Sequence, residues 1–327
     1  MAGKGKRMRP HTITTPKPLI KIAGKPIVQR LVEDIVSVTT EKVDEIAFVV
    51  GEFGEEVEKK LVEIAEKLGA RANIYYQKEA LGTAHAVLCA EQAMDDKIVV
   101  AFADTLFKAD FKMDTQKDGI IWTHQVSDPS AFGVVTKNQN DVINGFVEKP
   151  KSFVSDEAII GIYYFRDGEN LRSELQYLVD NNIVKGGEYQ LTDALQNMMN
   201  KGVNFYTGAV KEWLDCGNKD ATVYTNQRIL EINNHEKNPL SKVQRINSII
   251  VDPCYIGENV IIRNSIIGPH VSIGSDTIIE NSIITNSIIQ SNSYIENANL
   301  DNSMVGNHVR YIGRVADVSI GDFTRLS

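Results

Sequence analysis

Asn247-Ser-Ile-Ile250 returns as Asn264-Ser-Ile-Ile267, Asn281-Ser-Ile-Ile284 and Asn286-Ser-Ile-Ile289, then once more as the variant Asn302-Ser-Met-Val305. The first three copies are spaced by 17 residues, and 286 to 302 is 16. Through the same stretch an aliphatic residue recurs every five or six positions, at Ile256, Ile262, Ile267, Ile273, Ile279, Ile284, Ile289, Ile295, Leu300 and Val305. No helical period fits that spacing. A coil of about 17 residues divided into three short sides, each a strand and a turn with its aliphatic turned inward, is a triangular solenoid.

The tail resembles the hexapeptide repeat of left-handed β-helices, and its handedness is implied by that resemblance. It is expected over 246–327, after a polar, proline-containing linker at 233–245 that begins NNHEKNPLSK. Residues 1–232 read differently. Short apolar runs at 46–50, 72–76, 98–102, 119–123, 132–135 and 159–165 predict strands. Amphipathic or helix-favouring stretches at 55–68, 83–94, 169–181, 191–200 and 219–232 predict helices, and Gly69 stands where a C-terminal cap belongs. Continuous apolar strands alternating with helices predict an α/β fold with a mainly parallel sheet covered on both faces. Such Rossmann-like sheets bind ligands beyond the carboxyl ends of their strands.

The chain has 327 residues, 43% apolar and 24% charged, which suits about two globular domains. A net charge of −8 argues against a nucleic-acid partner, which needs a basic surface to displace counterions. Three scattered cysteines, Cys89, Cys216 and Cys254, form neither a disulfide framework nor a metal-ligand pattern. No run reaches the length of a membrane span, and the basic start has no apolar h-region behind it. A soluble cytoplasmic protein is expected.

The chemistry is read first at Gly3-Lys-Gly5-Lys-Arg7-Met-Arg9-Pro10, followed by Thr12 and Pro16-Lys17-Pro18. Glycines let backbone N–H groups approach phosphate oxygens, and Arg7 and Lys17 add cations that can follow charge on a transferring phosphoryl group. This string resembles the signature of the sugar-1-phosphate nucleotidylyltransferases, with Lys6 where Thr is usual and Met8 where Leu is usual. Further motifs follow in the family's order. Gln77 to Ala86 (QKEALGTAHA) looks like the nucleobase segment, which implies that Gln77 pairs with a pyrimidine edge while Gly82 and Thr83 border the base. His85 is read as packing or support. Asp104 closes a buried strand, where a carboxylate points into the site mouth, and the family's usual glycine before it is here Ala103. Trp213-Leu-Asp215-Cys-Gly217 resembles the second metal segment. The resemblance implies that Asp104 and Asp215 hold one Mg²⁺, a cation that takes hard oxygen ligands. It also implies that Gly133, Glu148, Lys149 and Gly161 meet the sugar and its phosphate, and that Gly187–Asp193 is mainly structural.

The implied reaction joins a nucleoside triphosphate, dTTP or UTP, to a sugar 1-phosphate, first glucose 1-phosphate, releasing pyrophosphate. Three alternatives stand beside it. One is a mannose-1-phosphate guanylyltransferase. Another is a bifunctional uridylyltransferase/acetyltransferase with His270 or His308 in the tail. The third is a scaffolding relative without activity. A homo-oligomer built through the β-helix is expected. The family begins with a short apolar strand ahead of the glycine loop, and Met1 stands where that strand would end. The expectation is a start assigned to an internal methionine, with loss of the strand leaving a gap in the sheet and weakening folding and activity.

Overall fold

The computed structural model describes residue 3, residues 5–233 and residues 243–314. The chain divides into two compact units, one of residues 1–20 and 26–217, the other of residues 21–25 and 218–327.

In the first unit, helix α1 (Ile27–Val38) leads to strand β1 (Glu45–Val50), helix α2 (Glu55–Lys67) and strand β2 (Arg71–Tyr76). Gly54 enters α2 at φ 86°, and three glutamates occupy its first turn, where they complement the helix dipole. Its apolar face, Leu61, Ile64 and Ala65, packs on Leu19, Val28, Phe48 and Val50. Next come α3 (Thr83–Leu88), β3 (Ile98–Ala101), β4 (Thr105–Lys108), β5 (Gly119–Gln125), β6 (Gly133–Lys137), β7 (Ile143–Glu148) and β8 (Glu157–Phe165). Helices α4 (Gly168–Asp180) and α5 (Leu191–Asn200) and strands β9 (Phe205–Ala209) and β10 (Glu212–Asp215) complete the unit.

The main sheet runs β9-β5-β8-β6-β7, with β3 also on β8. Strand β8 is antiparallel to β5, β6 and β3, while β9–β5 and β1–β2 are parallel. The α/β class holds, but the sheet is mixed where the sequence predicts a mainly parallel one. The reason lies in β8, eight of whose nine residues are buried. A continuous apolar run reports burial on both faces and says nothing of strand direction. Among the described residues β1 and β3 have no common neighbour strand. A cleft of about 510 Å³ is lined by both, with Val28 and Val32 of α1 and Val87 of α3 on its walls.

In the second unit the repeats form three parallel sheets, each taking every third strand. One holds Gln244–Ile246, Ile261–Arg263, Ile278–Glu280, Tyr294–Glu296 and Arg310–Ile312. The second stacks Ile249–Ile250, Ile266–Ile267, Ile283–Ile284 and Asn299–Leu300, and the third Cys254–Ile256, Val271–Ile273, Ile288–Ile289 and Met304–Val305. This is the connectivity of a three-sided β-helix, consistent with the left-handed form that the resemblance implies. The inward aliphatics from Ile256 to Ile295 are buried, with Leu300 and Val305 packed against them.

The repeat's letters each have a job. The asparagine turns the corner in the left-handed region, at φ 46° for Asn247, 49° for Asn264 and 48° for Asn281, a conformation Asn tolerates better than other non-glycine residues. Its side-chain amide bonds to the next coil, Asn247 Nδ2 to Asn264 Oδ1 at 3.0 Å and Asn264 Nδ2 to Asn281 Oδ1 at 3.2 Å. The serine hydroxyl accepts a backbone N–H from the following coil, as Ser265 does from Ser282 at 3.0 Å. Of the two isoleucines, one faces out and the next faces the core.

The sequence draws the domain boundary after 232, but helix α6 (Lys219–Ile232) packs with the coils. Asn218 caps it by accepting from Ala221 N–H at 2.9 Å. The buried Asn226 accepts from Ser272 Oγ at 2.6 Å and from Ala23 N–H at 3.0 Å. Residues 234–242 of the expected linker and 315–327 of the expected β-helix lie outside the described residues.

Candidate active site

The two aspartates are brought together by a small ladder. Strand β4 pairs antiparallel with β10, setting Thr105 opposite Asp215, and Cys216 N–H donates to the Asp104 carbonyl at 2.9 Å. Two carboxylates 111 positions apart in sequence therefore leave one ladder end side by side. Lys17 joins them. Its Nζ lies 2.8 Å from Asp104 Oδ2, and its side chain is 10% exposed against 40% for Asp104, so the ammonium is nearly sequestered while the carboxylate keeps an open side. Lys17 is placed by its prolines: Pro16 and Pro18 shape a single 3-10 turn, Lys17–Leu19, whose Pro18 and Leu19 are buried.

The glycine loop lies against this turn. Gly5 takes φ 55°, and a Cβ there would stand 3.0 Å from Thr12 and 3.4 Å from Lys17. Thr12 Oγ1 donates to the Gly5 carbonyl at 2.8 Å, as does Met8 N–H at 2.9 Å. Met8 is buried and anchors the loop, while Arg7 beside it is exposed. Gly3 is exposed, with open space where a side chain would go.

Burial, then the charge of Asp104, hold the Asp215 carboxyl above the ordinary aspartate range, against the Gly217 N–H, Lys17 and Arg7, which favour its ionised form. Two half-buried carboxylates that repel each other make a natural seat for a cation. Among the described residues no cluster of three or more His, Cys, Asp or Glu side chains could hold a metal by itself. Mg²⁺ needs no such cage, because it is usually held by one or two carboxylates with waters and substrate phosphates. The pair fits that ion.

The expected nucleobase residues form a second group. Gln77 follows β2 and donates its N–H to the Val50 carbonyl at 2.9 Å. Gly82 enters α3 at φ 113°, and a Cβ there would stand 2.4 Å from the Tyr189 carbonyl oxygen. The segment before α5 holds this turn: Ala84 N–H donates to Tyr189 O at 3.0 Å, Tyr189 N–H to Leu81 O at 2.8 Å, and Leu191 N–H to Thr83 Oγ1 at 3.0 Å. The Gly187–Asp193 motif thus supports the turn from behind.

The expected sugar residues sit on the β6–β7 hairpin and β8. Gly133 pairs opposite Glu148, and a Cβ on Gly133 would stand 2.9 Å from Glu148 Oε2. Lys149 turns at φ 45°, donates its N–H to the Phe132 carbonyl at 3.0 Å, and keeps Nζ 3.7 Å from Glu148 Oε1. Gly161 lies at φ 83° within the β8 irregularity, and its carbonyl accepts from Phe102 N–H at 2.9 Å. Phe102 covers the face of Gly161, so this glycine fits the chain two residues ahead of Asp104.

Two aromatics tie the groups together: Trp213, which opens the second metal segment read from the sequence, and Tyr163, which the sequence reading did not single out. Trp213 of β10 packs edge-on against Phe132 at 4.8 Å between ring centroids, joining the Asp215 segment to the Gly133 segment. Tyr163 is buried, and burial followed by the nearby Glu148 charge pushes its hydroxyl well above the usual tyrosine range. Tyr163 carried no spacing signal, since an aromatic in an apolar run reads as core. His270, one of the tail histidines, turns a corner at φ 62° with Nε2 3.0 Å from Glu231 Oε1.

The nucleotidyl transferase family model matches residues 1–232. Over 94% of its length the chain is 29% identical to a glucose-1-phosphate thymidylyltransferase of Streptomyces antibioticus, of which it spans 91%. Over 70% of its length it is 31% identical to the bifunctional protein GlmU of Methanococcus maripaludis, of which it spans 53%. A solved UDP-glucose pyrophosphorylase complexed with UDP-glucose shares the fold, with a TM-score of 0.58 at 22% identity over 71% of this chain and 96% of that one. The glycine loop, Lys17 and both aspartates of the β4–β10 ladder fall inside the matched span, and the chain belongs to the nucleotidyl transferase family.

Proposed function

We propose that the protein transfers a nucleotidyl group from dTTP or UTP to a sugar 1-phosphate, glucose 1-phosphate first, forming a nucleotide-sugar and pyrophosphate. The observation that carries this reading is the constellation of Lys17, Asp104 and Asp215 beside the Gly5 loop. The relatives bearing thymidylyltransferase names over almost the whole chain support the choice of substrates.

A phosphate oxygen of the sugar 1-phosphate attacks the α-phosphorus in line. A new P–O bond forms as the bond to the bridging oxygen of the β-phosphate breaks, and that electron pair leaves with pyrophosphate. No covalent enzyme intermediate is needed, so catalysis is positioning and charge stabilisation. Arg7, exposed on the loop, follows charge onto the leaving pyrophosphate and the pentacoordinate phosphorus. Lys17, almost buried, neutralises phosphate oxygens brought against Asp104. Asp104 and Asp215 would hold Mg²⁺, which supplies charge neutralisation shared by the two phosphates. Gln77, Gly82 and Thr83 receive the base, Gly3 and Gly5 the triphosphate, and Gly133, Glu148, Lys149 and Gly161 line the sugar side.

The β-helix serves self-association in this reading. Ile249, Ile266 and Ile283 stack in register on one sheet at 59%, 40% and 48% exposure, a flat apolar ladder suited to a second copy. Light scattering at micromolar concentration should give a multiple of the 36.4 kDa chain mass, and a monomer would end the idea. A reducing, cytoplasmic setting agrees with three free thiols. Among the described residues no helix is long and apolar enough to cross a membrane.

The test is pyrophosphate release with Mg²⁺, in a matrix of dTTP, UTP, GTP, ATP and CTP against glucose, mannose, galactose and N-acetylglucosamine 1-phosphates. Release with dTTP or UTP and glucose 1-phosphate is expected. Release confined to GTP with mannose 1-phosphate would replace these substrates, and silence from folded protein across the matrix would refute the activity.

A further inference from the structure

Gln77 is held in one orientation by two acceptors. Its Nε2 lies 3.1 Å from the Gly82 carbonyl oxygen and 3.1 Å from His85 Nδ1. A carbonyl oxygen only accepts, so the end of the amide facing Gly82 is its NH₂ group. That group has two N–H donors, one for Gly82 and one for His85. His85 must then accept through Nδ1 and carry its own proton on Nε2. Both donors of Gln77 are used inside the protein, and Oε1, which receives no hydrogen bond among the described residues, is the atom left for a ligand.

The anchors are themselves held by hydrogen bonds. His85 is the third residue of α3, and the turn before it is fixed through Tyr189 and Leu191 as described above. Gly82 lies close against the Tyr189 backbone, with no room there for a side chain. Gln77 is itself tied to β1 through Val50.

We infer that His85 is a positioning residue that locks the Gln77 amide with its acceptor outward, and thereby selects bases that offer a ring N–H at their pairing edge. Uracil and thymine present N3–H to such an acceptor. Cytosine presents an unprotonated N3, so two lone pairs would face each other, and a site built for one hydrogen-bonding pattern rejects the other. This rests on the proposed placement of the base at Gln77 and goes beyond it, since Gln77 by itself can turn either end toward a ligand.

The experiment is binding of UTP, dTTP and CTP by calorimetry, without sugar 1-phosphate, to the wild-type protein, His85→Phe and His85→Asn. Phenylalanine keeps bulk and removes the acceptor, while asparagine restores one. The preference for UTP and dTTP over CTP should fall about three- to tenfold in His85→Phe, the scale of one neutral hydrogen bond. It should return in His85→Asn. In turnover the loss in His85→Phe should fall on KM rather than on kcat. In the ligand-free protein the Gln77 side-chain amide proton signals should move in His85→Phe and recover in His85→Asn. Unchanged preference in His85→Phe, or equal binding of UTP and CTP by the wild type, would overturn the inference. Selective binding without pyrophosphate release would instead count against the proposed reaction and leave the role of His85 standing.

Discussion

Replacing Gly161 with alanine should damage both stability and catalysis, and for separable reasons. Gly161 holds φ 83°, and an added Cβ would stand 2.8 Å from Phe102 Cδ2 and 3.2 Å from Phe102 Cβ. A side chain in left-handed backbone costs roughly 1–2 kcal/mol. Forcing the Phe102 ring off its rotamer adds about 1 kcal/mol. Phe102 also packs edge-on against Tyr163 at 5.8 Å, so the ring has little room to yield. The expected loss is about 2–3 kcal/mol in urea unfolding. Gly69→Ala is the matched control, with φ 74° and nothing within 4 Å of the added Cβ, so it meets the backbone cost alone. Because Phe102 is two residues before Asp104, the displacement is passed to the carboxylate, and a shift of about 1 Å at a reacting centre costs on the order of 10²-fold in rate. Pyrophosphate release by Gly161→Ala should fall on that scale while Gly69→Ala stays near wild type. If the two variants lose equal stability and Gly161→Ala keeps its rate within a few-fold, Phe102 does not set the position of Asp104.

Other expectations follow from single features. Arg7→Ala should lower the release rate on the order of 10²–10³-fold if the guanidinium acts in the transition state, and a change under about threefold in folded protein would remove it from that role. Burial lowers the pKa of His11 from its ordinary 6.5, so the unfolded chain binds the extra proton first. The stability this gives is complete above pH 6.5 and is lost as pH falls below that value toward the depressed one. His11→Gln should therefore flatten the decline of Tm on the acid side of 6.5, and an unchanged slope would refute the assignment. In the coils, Asn264→Ala meets both φ 49° and the loss of the amide ladder, whereas Asn264→Gly loses only the ladder. The glycine variant should be the more stable by roughly 1 kcal/mol, measured by chemical unfolding, and equal losses would show that the ladder alone matters.

Some of the fold was legible because local chemistry dictated it. The helix over Glu55–Lys67 announced itself by its apolar face and the glycine at Gly69, and the strands at Glu45–Val50 and Ile98–Ala101 by their apolar runs. Where no breaker marked a stop, the reading overran. The helix expected over 83–94 ends at Leu88 and gives way to a 3-10 turn at Glu91–Ala93, with no glycine or proline to signal it. The Asn286 repeat looks like the copy at Asn281. Yet its Ile288 and Ile289 belong to a different sheet, are both buried, and pair with Met304 and Val305, while Ile283 is exposed.

Local sequence was enough for the class of each half and for naming the candidates for the site. A 17-residue period with one inward aliphatic per side allows little besides a three-sided coil, and a glycine loop with flanking cations can be read as a phosphate cradle without any knowledge of its surroundings. Strand direction, the packing of α6 with the coils, the meeting of Asp104 with Asp215 through the β4–β10 ladder, and the hold of His85 and Gly82 on Gln77 came from contacts between distant segments. Periodicity and local motifs record what one segment buries and which groups it carries. Register between distant strands and the orientation of a side-chain amide depend on partners far along the chain, and those partners are chosen by packing.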